Sequence, residues 1–371
     1  MWGGTGLGAE SGADMPIRVR DPGELVAILP ALIGFHPRES LVLIATGGPS
    51  GRRIGLTVRV DLPPPEHVEA VVADAVRGLL LDHPHAAAVV VLSERTAGGG
   101  PPSVELAAAA VVGLERQGVS VHAAVWAAST TAGAHWACYD PCGCSGVLPD
   151  PACTAFAAAV VAGGQVIHRD RAELERLVAP ECPDRIRRRE RLLVARLDRA
   201  AHRADLGAAC AASATAVPVG SAVVDAAVTA AAEGRLDLTD EKVVDLACAL
   251  GDLAVRDAAL QHNIGPHAAA AEQLWTALVR TMPEPDVVEP AALLVVSALL
   301  RGDGGLANVA LDRAERAWPG HRLTRLLRTA AGAGMRPAQV RAWLLGSTPE
   351  PASRSAAGEG RSTGSVPPHS R

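Results

Sequence analysis

Residues 33–45, IGFHPRESLVLIA, form the join that decides how this chain folds. Gly34 follows a short apolar segment and suits the left-handed residue beyond a helix end. Pro37 holds His36 outside the helical region of the backbone, so the chain leaves the turn in an extended conformation. The apolar run over residues 41–45 then fits a buried strand. The join therefore predicts a helix, a sharp turn and the first strand of a sheet.

The segments on either side of this join extend the same pattern. Asp21 is a suitable helix N-cap, and Pro22 with Glu24 completes a helix-start signature. Pro30 lies within the apolar segment that follows and predicts a kink or a shortened helix. Residues 54–62 alternate apolar and polar side chains, which predicts a half-buried strand that forms a hairpin with the strand before it.

The remainder of the first 150 residues alternates between helical and strand patterns. A helix is expected after the three prolines of residues 63–65, and another from Ser103 to about residue 117. Apolar runs predict further strands over residues 86–92, 119–126 and 136–139. Helices that cross over between apolar strands are typical of a mixed sheet with covering helices, so this part is predicted to be α/β.

After residue 150 the patterns are helical throughout. Among the expected helices are one over residues 239–260 and one over residues 268–281. Short consecutive helices suggest helical hairpins, as in tetratricopeptide-like arrays, although no repeat of fixed period is visible. The predicted organisation is a disordered leader, an α/β domain, an all-helical domain and a disordered tail, over residues 1–14, 15–150, 151–345 and 346–371. Met15 is an alternative translation start to Met1.

Composition and charge limit the classes of function. The chain has 371 residues, 49% of them apolar and only 2% aromatic, with a net charge of −5. An acidic balance does not favour nucleic acid or an anionic membrane as a partner, and neither a signal peptide nor a membrane-spanning stretch is apparent. Seven cysteines are an odd number, which indicates reduced thiols and a cytoplasmic protein.

Several segments together resemble a known bacterial family. They are LIGFHPRESLVLI from Leu32, GLTVRVDLP from Gly55, the cysteine-rich segment after Trp136, VRDAAL from Val255, and GDGGLANVALDRAERAWPGHRLTRLL from Gly302. Their order and spacing are similar to those of the uncharacterised family catalogued as domain of unknown function 4192, over residues 15–345. The resemblance implies the α/β-plus-helical architecture and brings no activity, substrate or cofactor. Family members often have paired cysteines followed by proline, whereas this chain has Cys142-Gly143-Cys144-Ser145.

The cysteine-rich segment is a candidate metal site. It offers His135, Cys138, Cys142, Cys144 and Cys153, which are ligand types that zinc prefers. The Cys138 to Cys142 spacing fits a zinc site loosely, while the single residue between Cys142 and Cys144 is less usual. A reduced, cysteine-containing turn without metal is the favoured alternative, so no resident cofactor is assigned.

A second candidate site lies at the join. Because Pro37 restrains His36 at the entry to a strand, its imidazole can face a cleft. Arg59 and Asp61 lie on the polar face of the adjoining strand, so the three side chains can converge. Such a group would suit a hydrolase, although no nucleophile or complete triad is identifiable. The simpler interpretation is that His36 caps the preceding helix or hydrogen-bonds the turn.

Residues 185–203 contain eight arginines on one predicted helix, against Glu190 and Asp198. An exposed arginine face can engage phosphate or an acidic partner, but a solvated helix face explains it as well. With no catalytic constellation of specific spacing, the preferred function is a binding or regulatory protein that presents a helical surface to a protein partner. The alternatives are a hydrolase with a site near His36 and Asp61, and a protein stabilised by zinc through residues 135–153. A pocket lined by His36, Asp61 and a cysteine would favour the enzyme.

Overall fold

A computed structural model describes residues 7–9, 17–19, 21–47, 53–95, 100–207 and 219–346. It confirms an α/β half followed by an all-helical half. The strands form one mixed sheet in the order β2-β1-β4-β3-β5-β6-β7-β8. They are β1 (Leu7–Ala9), β2 (Ile17–Val19), β3 (Ser40–Gly47), β4 (Arg53–Asp61), β5 (Ala86–Leu92), β6 (Ser120–Ala127), β7 (His135–Cys138) and β8 (Ser145–Val147).

The centre of the sheet is β3, which pairs antiparallel with both β4 and β5. The predicted β3–β4 hairpin is therefore confirmed. Strands β5 and β6 are parallel and are joined by a crossover helix, as parallel neighbours require. The strand expected over residues 136–139 is β7, which pairs antiparallel with β6.

Helices cover both faces of this sheet, because its central strands are apolar on both sides. On one face, α1 (Pro22–Ala27), α2 (Leu29–Ile33) and α5 (Ala155–Ala162) pack on alternate residues of β3, β5 and β6. On the other face, α3 (Val68–Leu80) and α4 (Val104–Glu115) pack on the residues between them.

The join at residues 33–45 folds as the sequence predicts and also ties the two halves together. Gly34 has a φ of 89° and ends α2, and the helix before it is broken at Ile28, two residues ahead of Pro30. The amide of His36 donates to the carbonyl of His168 at 3.1 Å, and the amide of His168 donates to the carbonyl of Gly34 at 2.8 Å. Phe35, only 4% exposed, packs into the hydrophobic core of the helical half.

The helical half is built around one buried helix. Every residue from Val288 to Leu299 of α12 (Val288–Arg301) is buried, and the neighbouring helices surround it. This arrangement contains the expected hairpins, such as the pair formed with α13 (Gly304–Ala317), but they enclose a core instead of stacking in an open array. The other helices are α6 (Arg171–Leu177), α7 (Pro183–Gly207), α8 (Val219–Ala232), α9 (Asp240–Leu250), α10 (Leu253–Ala259), α11 (Ala268–Thr281), α14 (Arg322–Gly332) and α15 (Pro337–Leu344).

The structure corrects several local expectations. A register shift opposite Ala45 moves Ile54 to the opposite face from Leu56, so the alternation expected for β4 breaks at its start. The single helix expected over residues 239–260 is two helices, because the Asp252 side chain caps a new one. Ser103 precedes α4 without a capping hydrogen bond from its side chain.

Two expectations concern the ends of the chain. Leu7–Ala9 of the expected leader form β1, which pairs with β2 and β4, and the rest of residues 1–14 lies outside the described residues. The expected tail lies outside them as well, except for Gly346. Within the described ranges, no helix combines the length and the apolar character that crossing a bilayer requires.

Candidate functional site

A cavity of about 360 Å³ lies at the seam between the two halves. The end of α2 and the polar face of β4 form one side of it, and α6, α13 and α14 form the other. We call it the seam cavity. Its lining residues are Leu32, Ile33, Phe35, Thr57, Arg59, Arg171, Gly304, Gly305, Asn308, Asp312 and Arg328.

The two halves approach each other closely at this cavity because α13 begins with two glycines. A Cβ added at Gly305 would lie 2.7 Å from the carbonyl oxygen of Ile33 and 3.1 Å from the Cδ1 of Leu174. Only a residue without a side chain lets α13 approach the end of α2 this closely. The first and last of the segments that resemble the family are therefore in direct contact, and both line the cavity.

Arg59 forms the floor of the seam cavity. Its Nε donates to the hydroxyl of Ser40 at 2.8 Å, and its Nη2 donates to a carboxylate oxygen of Asp61 at 2.5 Å. The guanidinium also lies over the ring of Phe35, 5.9 Å from its centroid. The side chain is 14% exposed, and burial lowers the pKa of Arg59 while Asp61 opposes that shift. An arginine stays charged through such a shift, so the floor carries a partly desolvated cation.

Two further arginines reach the cavity from the helical half. Asp312 accepts a hydrogen bond from Arg171 at 2.8 Å and one from Arg328 at 2.6 Å, so one carboxylate holds both guanidiniums in place. Arg328 also donates to Asn308 at 3.0 Å and to Glu315 at 2.9 Å. Hydrogen bonds to Glu315 and Asp312 raise the pKa of Arg328, which keeps it cationic at any working pH.

The charges that line the seam cavity are unbalanced. Three guanidiniums face it, with Asp312 as the one carboxylate among the lining residues that the structure describes. A neighbouring cavity of about 780 Å³, which shares Asp312, has three arginines and three carboxylates in its wall and is balanced. Arginines therefore outnumber carboxylates among the residues that line the seam cavity, while Glu175, Glu315 and Asp61 pair with the same arginines from outside that lining.

Some hydrogen-bonding capacity in the seam cavity is unused. Among the described residues, the Nη1 groups of Arg59 and Arg171 have no acceptor. In the part of the chain that the structure describes, the hydroxyl oxygen of Thr57 is likewise buried without a hydrogen-bond partner. Unpaired polar groups of this kind are satisfied when water or a ligand occupies the site.

The candidate residues at the join are only partly brought together. Arg59 and Asp61 form an ion pair, with the Asp61 side chain 83% exposed at the end of β4. His36 is not among the lining residues; its Nδ1 lies 2.8 Å from the hydroxyl of Thr130, and burial lowers its pKa. Sequence reasoning did not single out Arg171 or Arg328, because their meeting with Arg59 depends on how the halves dock.

The cysteine-rich segment gathers three of its five candidates. The sulfurs of Cys138, Cys142 and Cys144 lie within 4.8 Å of one another. His135 points to the opposite face of β7 from Cys138, since it is three residues away on one strand. The thiol of Cys153 lies 3.6 Å from the carboxylate of Asp150, outside that group. Burial raises the pKa of Cys138 to about 12, whereas a hydrogen bond from Cys144 lowers the pKa of Cys142.

The arginine-rich helix α7 is mostly neutralised within the protein. Arg189 is fully buried and donates to the Asp240 carboxylate at 2.9 Å and to the Thr281 carbonyl at 2.9 Å. Two apolar side chains of the same helix, Val194 and Leu197, are about half exposed. Over its described side chains, this helix therefore offers no concentrated basic surface comparable with the seam cavity.

The family model described as Domain of unknown function (DUF4192) matches residues 22–338. The match covers most of the chain, so the chain belongs to this family, as the resemblance implied. No curated protein and no solved structure matches the chain.

Proposed function

We propose that this member of the DUF4192 family binds a small anionic ligand, one with a phosphate or carboxylate group, in the seam cavity. The observation that carries the proposal is the convergence of Arg59, Arg171 and Arg328, from three separate elements, on one cavity with a single lining carboxylate. Guanidinium groups bind phosphate and carboxylate through paired hydrogen bonds, which is why arginine dominates such sites.

Electrostatics support an anion over a purely structural ion network. Arg171 adds to the lowering of the Arg59 pKa, so the two cations repel each other across a partly desolvated space. Asp312 is shared between Arg171 and Arg328, each of which has a second carboxylate partner outside the lining, Glu175 and Glu315. Asp61 offsets Arg59 only from the solvent-exposed side. A bound anion would relieve the remaining repulsion and supply acceptors for the unused Nη1 groups.

The dimensions favour a small ligand or the charged end of a larger one. A volume of about 360 Å³ is at the lower end of the roughly 300–1,000 Å³ typical of ligand pockets. Leu32, Ile33 and Phe35 line one wall, so the uncharged part of a ligand would find an apolar surface there.

A binding role agrees better with this site than hydrolysis does. Of the proposed hydrolase residues, only Arg59 lines the seam cavity, and neither histidine nor cysteine is among its described lining residues. A general base must reach the proton that it abstracts, and His36 is engaged with Thr130. The surface for a protein partner on the helical half stays a prediction. No feature among the described residues supports it as specifically as the seam cavity supports anion binding.

We also propose a cytoplasmic location. The six cysteines that the structure describes, Cys138, Cys142, Cys144, Cys153, Cys182 and Cys248, are free thiols. Free thiols in this number are typical of proteins from a reducing compartment.

Calorimetric titration with inorganic phosphate, and separately with citrate, tests the function. Arg171→Gln removes one guanidinium while leaving Asp312 paired with Arg328, so the fold should be retained. Loss of one charge-assisted hydrogen bond is worth about 1.5–3 kcal/mol, so we expect affinity to fall about tenfold or more. Arg325→Gln is the matched control, because Arg325 is exposed on the same helix as Arg328 and lies outside the cavity.

At fixed ionic strength, the wild type and the Arg325→Gln variant should bind one anion per chain with the same affinity. If neither anion binds saturably, or if Arg171→Gln binds as well as the control, the proposal is wrong.

A further inference from the structure

We propose that Cys138, Cys142 and Cys144 form a metal site that holds one zinc ion through three thiolates. The site lies on the hairpin between β7 and β8, and nothing in the seam cavity contributes to it. It is therefore a second site, independent of anion binding.

The backbone of the hairpin places the three sulfurs together. The amide of Cys138 donates to the carbonyl of Cys144 at 2.8 Å, which closes the turn between the two strands. Gly143 has a φ of 67°, a left-handed conformation that reverses the chain between Cys142 and Cys144. The amide of Cys144 in turn donates to the sulfur of Cys142 at 3.3 Å. A turn that fixes one sulfur by a backbone amide leaves few side-chain torsions to order when a metal binds.

The sulfur separations are close to those that zinc requires. Zinc–sulfur bonds of about 2.3 Å in a tetrahedron put the sulfurs about 3.8 Å apart. In this hairpin they already lie within 4.8 Å of one another, so a movement of about 1 Å in the exposed side chains suffices.

Burial suggests how the ion would sit. Cys138 is 9% exposed and packs in the core of the sheet, whereas Cys142 and Cys144 are exposed at the surface. The ion would be anchored from below by one sulfur and held from the rim by two, with its fourth position toward solvent. Three thiolates select a soft or borderline metal ion, which excludes magnesium and calcium as the natural occupants.

The position of the hairpin explains what such an ion would do. β8 has three residues and is an edge strand of the sheet, with β7 as its one partner among the strands that the structure describes. Short edge pairs contribute little stability by themselves. A metal bridging the end of β7 and the residue before β8 would fix this edge.

The test uses the full-length protein, reduced and then dialysed with zinc but without chelator. Elemental analysis should give about one zinc per chain for the wild type and for Cys153→Ser, whose thiol is exposed but outside the cluster. Cys142→Ser with Cys144→Ser should lose the zinc, since hydroxyls are poor replacements for thiolates. Both exchanged cysteines are exposed, so the double variant should fold, which circular dichroism checks.

Substitution of cobalt for zinc adds a spectroscopic measurement, which a change in protein stability alone would not reproduce. A tetrahedral thiolate site gives cobalt an intense visible absorption, which the double variant should lack and the Cys153→Ser protein should keep. A wild type that retains less than about a tenth of an equivalent of zinc refutes the site, as does a double variant that retains zinc like the control. A disulfide within the cluster that persists after reduction would refute it equally.

Discussion

Gly305 is the residue on which the geometry of the seam depends most directly. Its replacement by alanine puts a Cβ 2.7 Å from the Ile33 carbonyl oxygen, a backbone atom that cannot move without shifting the end of α2. Over-packing of this kind costs about 1–3 kcal/mol. Alanine is favoured over glycine within a helix by at most about 1 kcal/mol, and less in the first turn. The clash should therefore prevail, with a net destabilisation of about 1–2 kcal/mol.

Gly304 provides a matched control in the same turn of the same helix. A Cβ at Gly304 has no neighbour within 4 Å, so Gly304→Ala should be neutral or slightly stabilising. Urea unfolding followed by circular dichroism gives both free energies, and phosphate titration shows whether the displaced α13 also weakens anion binding. If Gly305→Ala is as stable as Gly304→Ala, the close approach of α13 to α2 is wrong, and with it the geometry of the cavity.

Two further predictions concern buried polar groups. The side-chain oxygen of Asn263 accepts hydrogen bonds from Trp275 at 3.0 Å and from Ser297 at 2.5 Å. Asn263→Ala strands both donors, whereas Ser297→Ala removes one donor and leaves Asn263 paired with Trp275, so Asn263→Ala should cost more by about 1–3 kcal/mol in urea unfolding. Equal losses would contradict the network. Burial lowers the pKa of His122 below its usual 6.5, so the unfolded chain binds the proton more readily and stability falls as pH drops below about 6.5. His122→Asn should reduce that loss between pH 7 and pH 5, and an unchanged pH dependence would show that His122 does not cause it.

Local signals along the sequence were sufficient for most of the fold. The carboxylate of Asp21 accepts a hydrogen bond from the amide of Glu24 at 2.9 Å, as its cap signature predicts. α11 has the predicted bounds, Ala268–Thr281, since its apolar stripe is regular. Periodicity and capping act within a few residues, so they are visible without knowledge of the tertiary structure.

The departures come from contacts between distant segments. The bulge that turns Ile54 away from Leu56 arises from the pairing of β4 with β3, and the alternation of residues 54–62 does not reveal it. β8 is too short to give a strand pattern and exists because β7 offers it a partner. Of the cavity residues, Arg59 was a candidate from its place on the polar face of β4, whereas Arg171 and Arg328 required the docked halves.

The join at residues 33–45 links the sheet to the binding site through three different contacts. Ser40, the first residue of β3, orients Arg59, while Phe35 lies under the same guanidinium and packs into the helical core. The carbonyl of Ile33 sets how closely α13 approaches. A ligand in the seam cavity would therefore touch residues whose positions depend on both halves, so its binding free energy would add to the stability of their association. That coupling gives a physical reason for an α/β half and a helical half to be joined through one turn, since neither alone supplies the three arginines.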